Sequence, residues 1–457
     1  MISILEAQER CQKGPLMEDK AFDRKFQFKL REVSAKLNLK LNFEEVIPAP
    51  EIADAVFEAA IDFAADIGLY NVDTNRVLQF SRDEIIDTIT TRKRKFNIGE
   101  GKDMVTVRAR SFGDKHLPVR LPGPAGVPIS EEYYIPIHLS YAQLPEAQGI
   151  VPGCLTSARG FNNTVSTPGE LITAMQETRM IQEVARRAGK PGMPIGEAPM
   201  SVVSDAAIIS AYTPGGYRCT NALIPVQVYP GLKINWHHLN IAAIAHELGI
   251  ETWGMAFDVL GAFSRDSIEN AIMTIAGEMC LLSFTNGNLL YSATATTQGT
   301  KHLRAVVPTE ALKAMARTRN MYISIVCTPG AAFGACTKSS LYQNALTTFA
   351  PVVAGAAIAS FGNSGMGTVP NGSTGMEGKM VCETSMAAPG IDDRNEANRI
   401  FNNVVKMFVT HMKQNPEQGK TFPECYDVQR VEPTDEYRQI YAEAKNDLRQ
   451  AGIPLKY

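Results

Sequence analysis

The sequence predicts an α/β barrel with an accessory helical layer at its N-terminal end and charged helices at its C-terminal end. Two observations carry that prediction. From about residue 148, short apolar runs alternate with helical segments, the pattern of a parallel sheet with crossover helices. There are more of these units than a small open sheet uses, which fits a closed barrel.

Each element can be justified in turn. Residues 17–38 are charge-dense and helical in pattern, and residues 51–68 place Ala53, Val56, Phe57, Ala60 and Phe63 on one helical face. Ser81 and Glu84 have the spacing of a capping box, opening a helix through Ile85, Ile86 and Ile89. The alternating run Met104 to Val107 reads as one strand of a short hairpin. The Pro/Gly-rich stretch Leu117 to Pro128 marks the boundary. The expected organisation is therefore residues 1–130 as accessory helices and a hairpin packed on the barrel, and residues 131–457 as the barrel with its C-terminal helices.

Strand-like runs at Ile150-Val151, Leu223 to Val228, Thr252 to Met255, Leu289 to Ser292 and Tyr322 to Val326 alternate with helical patterns over 168–188, 235–248, 265–283, 308–318 and 339–349. Amphipathic helices over 394–414 and 434–451 close the chain.

Composition excludes several classes of function. With 45 basic and 48 acidic residues among 457, no basic bias points to nucleic acid or an anionic membrane. The N-terminus has no basic region followed by an apolar one, and the apolar stretch Ala345 to Phe361 is short and rich in Ala, Gly and Thr. A cytoplasmic location without membrane contact is expected. Eight scattered cysteines with no Cys-x-x-Cys pair read as reduced thiols, and the seven histidines lack metal-ligand spacing to them. His246-Glu247 begins like a metalloprotease helix, but Ile250 stands where the second histidine would be needed. No metal site is expected.

Charge is absent over residues 279–300 and 339–376, which fits either buried barrel backbone or loops lining a neutral pocket. Clusters at Arg108 to Lys115, Glu177 to Arg179, Ser373 to Glu377 and Gly419 to Asp427 look over-specified for solubility, although each alone is also compatible with a structural ion pair or turn.

Together these clusters carry a resemblance. Asp73 to Arg76 leading to Asp83 to Ile85, Arg108 to Lys115, Pro128 to Glu131, Thr156 to Gly160, Glu177 to Arg179, Ala188 to Met193, Thr374 to Glu377 and Gly419 to Asp427 occur in an order similar to that in the monomethylamine:corrinoid methyltransferases of methylotrophic methanogens. The resemblance covers nearly the whole chain and thins over its first 40 residues. It implies a TIM-type (β/α)8 barrel, a homo-oligomer (a hexamer in the family) and a methyltransferase. It also implies that the corrinoid is supplied by a partner protein, with no cofactor held tightly by this chain.

One departure shapes the functional expectation. The position at which the family carries pyrrolysine, just after Gly192-Met193, falls here on Gly196, which has no side chain. The acidic residues around pyrrolysine fall near Ile224 and Phe257, and its polar and aromatic companions near Thr328 and Gly330. Monomethylamine is then not the expected donor. A quaternary ammonium already carries its charge and needs no added electrophile, so a quaternary or otherwise activated N-methyl compound is the expected substrate. Aromatic faces favour such a cation by roughly 0.5–2 kcal/mol per contact.

Candidate site residues at strand ends and loops are Trp253, Phe257, Asp258, Tyr291, Gln298, Tyr322, Thr328 and Asn363, with Arg218 or Lys338 available to a substrate carboxylate. This reading predicts a void facing Gly196. A lyase or isomerase would instead need an acid–base pair built on Asp205 or Asp258. A non-catalytic binding paralogue would have its pocket filled near Gly196.

Overall fold

The computed structural model describes residues 1–292, 294–296, 303–321, 323–414 and 419–456. Eight parallel positions close into a barrel. Six are strands, Val119–Pro122, Ile224–Val228, Thr252–Ala256, Leu289–Ser292, Ser324–Cys327 and Ile358–Phe361, which pair in that circular order. The second and third positions are short bridged segments around Ile150 and Ile195. Hydrogen bonds from Gln148 N to Arg120 O (2.9 Å), Ile150 N to Pro194 O (3.1 Å) and Ile195 N to Asn221 O (2.7 Å) complete the ring.

A helix follows each position: Glu131–Ala142, Pro168–Arg187, Asp205–Ser210, Trp236–Leu248, Ser267–Leu282, Leu303–Asn320, Lys338–Val353 and Gly375–Ala387. The chain starts these helices with side-chain caps. Ser204, Asn235, Asp266, Thr337 and Thr374 each accept a hydrogen bond from a first-turn N–H that has no partner within its helix. Five of the eight helices thus begin at a fixed residue, which holds the loops of one barrel face in place.

The barrel begins earlier than the sequence suggests. Val119–Pro122 lies inside the Pro/Gly-rich stretch read as a boundary, so the division at residue 131 is corrected to before Val119. Prolines usually exclude a central strand because they lack an N–H. Here Val119 N and Gly123 N donate to Ala357 O and Phe361 O, while Pro122 loses a donor only toward the short second position.

Helix Pro50–Ile67 packs on helices Ser267–Leu282 and Leu303–Asn320, and the C-terminal helices Arg394–Gln414 and Asp435–Gln450 pack on Lys338–Val353. The hairpin Lys95–Ile98/Val105–Arg108 has a different task. Gly99 N bonds Thr220 O and Glu100 N bonds Gly192 O, both just ahead of barrel positions, while Ile98 and Val107 join the apolar interior of the barrel. The hairpin plugs the N-terminal mouth.

Two apolar clusters result. The larger lies between the barrel wall and the helices, and the smaller fills the lumen with Val119, Leu121, Val151, Leu223, Trp253, Leu289, Tyr291, Val326 and Ile358. Among the described residues no helix is long and apolar enough to cross a membrane.

Candidate active site

The third barrel position fixes the site. Gly196 N bonds Ile150 O (2.9 Å) and Ala198 N bonds Leu223 O (3.0 Å), so this segment is held between its two neighbours. A β-carbon on Gly196 would lie 2.6 Å from the six-membered ring of Trp253 and 3.0 Å from a Val151 methyl. The void expected at Gly196 is therefore corrected: the buried indole of Trp253 occupies that space.

From Trp253 an aromatic row runs toward the C-terminal mouth. The rings of Trp253 and Tyr291 are 5.4 Å apart and tilted by 50°, and those of Tyr291 and Phe361 are 5.6 Å apart at 55°. The Tyr291 hydroxyl is hydrogen-bonded with Thr328. Phe361 sits at the end of its strand with φ +63°, a backbone conformation that side-chain-bearing residues adopt at a cost. Met200 and Met255 complete the half-buried upper edge of this cluster.

Glu197 follows Gly196 directly, at φ +48°. It is 6% exposed, and among the described residues no donor or cation reaches its carboxyl. Burial alone pushes its pKa up to about 8. Its charge is felt by Tyr291 and Cys154, whose pKa values burial also raises, that of Cys154 to about 12.

The loop that carries Glu197 is well braced. Buried Glu177 accepts from Met200 N (3.0 Å), Ser201 N (2.7 Å) and the Tyr217 hydroxyl (2.9 Å). The Tyr212 hydroxyl donates to Ala198 O, and Ser201 Oγ accepts from Leu155 N. The indole N–H of Trp253 is sealed in the interior without a partner.

Of the residues singled out in the sequence, Gly196, Trp253, Tyr291 and Thr328 come together. Phe257 and Asp258 lie just past the end of Thr252–Ala256, where Asp258 is buried and accepts from the Ser264 hydroxyl and from Asn270 (2.7 Å). It thus belongs to a polar network beside the strand and not to the aromatic row. Asn363 donates to Ala125 O (3.1 Å) and accepts from Asn344, tying the eighth position to the first. Gln298 and Tyr322 lie outside the described residues.

Arg218 is committed to Glu100 (2.8 Å) and Pro191 O, and Lys338 to Glu443 and Asp447, so neither stands ready for a substrate carboxylate. Asp205 does pair with His237, but at the starts of two outer helices and outside the interior cluster.

Sequence reasoning missed Glu197 and Phe361. A signal for Glu197 existed, since it is the one charged residue between Lys190 and Asp205. Phe361 was hidden at the end of an apolar run read as core.

Comparison with known proteins places this arrangement. Residues 2–453 match the model of the family described as Monomethylamine methyltransferase MtmB. The chain belongs to the monomethylamine methyltransferase family. It is 31% identical over 440 residues to Monomethylamine methyltransferase MtmB1 of Methanosarcina barkeri, covering 94% of this chain and 93% of that protein. It is 32% identical, with the same coverage, to Monomethylamine methyltransferase MtmB of Methanosarcina mazei. The crystal structure of the Methanosarcina barkeri enzyme superposes with a TM-score of 0.94 at 29% identity, covering 100% of this chain and 99% of the other. A crystal structure described as the hydroxylamine MtmB complex superposes equally well, also with a TM-score of 0.94.

Within this monomethylamine methyltransferase scaffold the polar clusters of the sequence have structural tasks. Arg110 donates to Val352 O, Ala356 O and Asp114 O. Glu377 closes a capping box with Thr374 and accepts from Tyr437, and Lys420 pairs with Glu436. Among the described residues, no group of three or more His, Cys, Asp or Glu side chains could hold a metal ion.

Proposed function

We propose that this protein transfers a methyl group from a quaternary, or otherwise activated, N-methyl compound to the corrinoid of a separate partner protein, without pyrrolysine. The observation that carries this reading is the aromatic row Trp253–Tyr291–Phe361 beside a glycine at the position where the resemblance places pyrrolysine. The partner's corrinoid supplies Co(I), a strong nucleophile, as methyl acceptor. This chain's residues bind the donor, orient its methyl toward the mouth and exclude water.

A quaternary nitrogen leaves as a neutral amine, so no acid is needed to activate it. Free monomethylamine would have to expel amide, a very poor leaving group, unless its nitrogen is first bound to an electrophile, and the space for a side chain at residue 196 is taken by Trp253. The relatives are monomethylamine methyltransferases; this chain has no side chain at residue 196 with which to take a methyl group from monomethylamine in the way the resemblance implies.

One observation favours a second reading, a binding paralogue without transfer, because Trp253 fills the space beside Gly196. Against it stand the unpartnered carboxyl of Glu197 and the half-buried edge around it.

Both readings are tested by following the visible absorbance of a Co(I) corrinoid protein with mono-, di-, tri- and tetramethylated amines. Methylation by a quaternary donor supports the first. Methylation by monomethylamine overturns the donor assignment. Silence beside a working control enzyme leaves the binding reading.

A further inference from the structure

We infer that Glu197 is the counter-charge that sets donor specificity, selecting monocationic tetraalkylammonium compounds over zwitterions such as betaines. This rests on the donor reading above and narrows it to cations that lack a carboxylate.

The argument begins with what the other buried carboxyls do. Glu177 holds two backbone N–H groups and a tyrosine hydroxyl. Glu278 is paired with Arg317 at 2.6 Å, and Glu377 with Thr374 and Tyr437. Buried carboxyls are ordinarily satisfied in this way, because an unpartnered one costs free energy. Glu197 departs from the pattern: it too is buried, at 6% exposed, yet no donor or cation among the described residues meets it. Nor are its oxygens among the sealed, unpartnered atoms of the interior, so they border accessible space.

Glu197 is the residue next to Gly196, whose α-carbon lies against the Trp253 ring at the start of the aromatic row, and its charge is felt by Tyr291 in the same row. A carboxylate beside aromatic faces offers charge without hydrogen-bond donors. A tetraalkylammonium has a diffuse positive charge and no N–H, and it needs only these two things. A primary ammonium would direct an N–H at the carboxylate and leave its other N–H groups against aromatic rings.

A betaine would bring a second carboxylate next to Glu197. The cations once available to receive it are engaged elsewhere, Arg218 with Glu100 and Lys338 with Glu443 and Asp447. The indole N–H of Trp253 is sealed off from any ligand. Two like charges in an enclosed site repel strongly.

The titratable groups that sense Glu197 are Cys154 and Tyr291. Burial holds both neutral near neutral pH, so Glu197 alone changes charge there.

The test is calorimetric titration of the purified full chain, without corrinoid, using tetramethylammonium, glycine betaine and monomethylammonium chloride. Tetramethylammonium is expected to bind at least about tenfold more tightly than betaine, and to gain about tenfold per pH unit up to about pH 8. Glu197→Gln should abolish both the preference and the pH dependence, whereas Glu197→Asp should keep their direction. Betaine binding as tightly as tetramethylammonium would overturn the inference. So would unchanged binding in Glu197→Gln, or no binding of any cation.

The outcome is separable from the donor reading. Glu197-dependent binding without methylation of a corrinoid sustains this inference and removes that reading. Methylation from a quaternary donor with selectivity intact in Glu197→Gln does the reverse.

Discussion

The ring of Trp253 stands 2.6 Å from the place where a β-carbon on Gly196 would lie. The two residues therefore share one volume, and each constrains what the other can be. Gly196→Ala is expected to destabilise the protein by about 1–3 kcal/mol through overpacking. In a Trp253→Phe background the same change should cost less, since the smaller ring leaves room. Chemical denaturation of the four proteins of this cycle reads the coupling directly. Additive costs would show that the two residues do not compete for space.

Arg317 and Glu278 form an ion pair at 2.6 Å with both side chains fully buried. Removing one partner takes this contact from a side chain that stays buried. Glu278→Ala or Arg317→Ala is expected to cost about 3–5 kcal/mol, while a paired replacement by apolar residues of similar volume should cost much less. Equal losses in single and paired variants, measured by denaturant unfolding, would contradict this.

Glu197 should also leave a mark on stability against pH. In the unfolded chain it ionises near 4.5 like an ordinary glutamate, whereas burial keeps it protonated in the folded protein up to about 8. Between those values the folded state binds more protons, so stability falls as pH rises, and the loss is complete above about 8. Glu197→Gln does not titrate. The melting temperature of the natural protein, relative to this variant, should therefore decline from about pH 5 to about pH 8 and then run parallel. Parallel profiles throughout would show that the carboxyl is not shifted.

The cysteines give a solution check on the packing. Cys154 and Cys219 are partly exposed and the other six are buried. The thiolate is the reactive form, and burial pushes the Cys154 thiol up to about 12. Alkylation of the native protein should label Cys219 first and Cys154 slowly, leaving the rest until the chain unfolds. Peptide mass spectrometry reads that order. Early labelling of Cys327 would mean that the barrel wall opens.

How far the sequence led can be judged from particular residues. The strands Thr252–Ala256, Leu289–Ser292 and Ser324–Cys327 were legible because each is an apolar run flanked by helical periodicity. Val119–Pro122 was not, because prolines that punctuate loops also fit a strand whose donors are needed on one side only. The third position was invisible as a strand, being so short that it survives through hydrogen bonds to its two neighbours. At the site, sequence named Trp253 and Tyr291 but could not tell cage from core. That depends on which ring lies over Gly196, a matter of barrel closure and not of local pattern. Glu197 was overlooked for a related reason: a carboxyl is informative when it lacks partners, and partners come from distant segments.

The hairpin that plugs the N-terminal end of the barrel has a kinetic consequence. With that end shut, everything enters and leaves through one doorway. On the proposed function, a small donor seated below a protein-sized acceptor must be loaded before the acceptor arrives, and the demethylated amine must wait until the acceptor departs. The order of binding is then compulsory, and excess acceptor should slow turnover by standing in the doorway of an empty site.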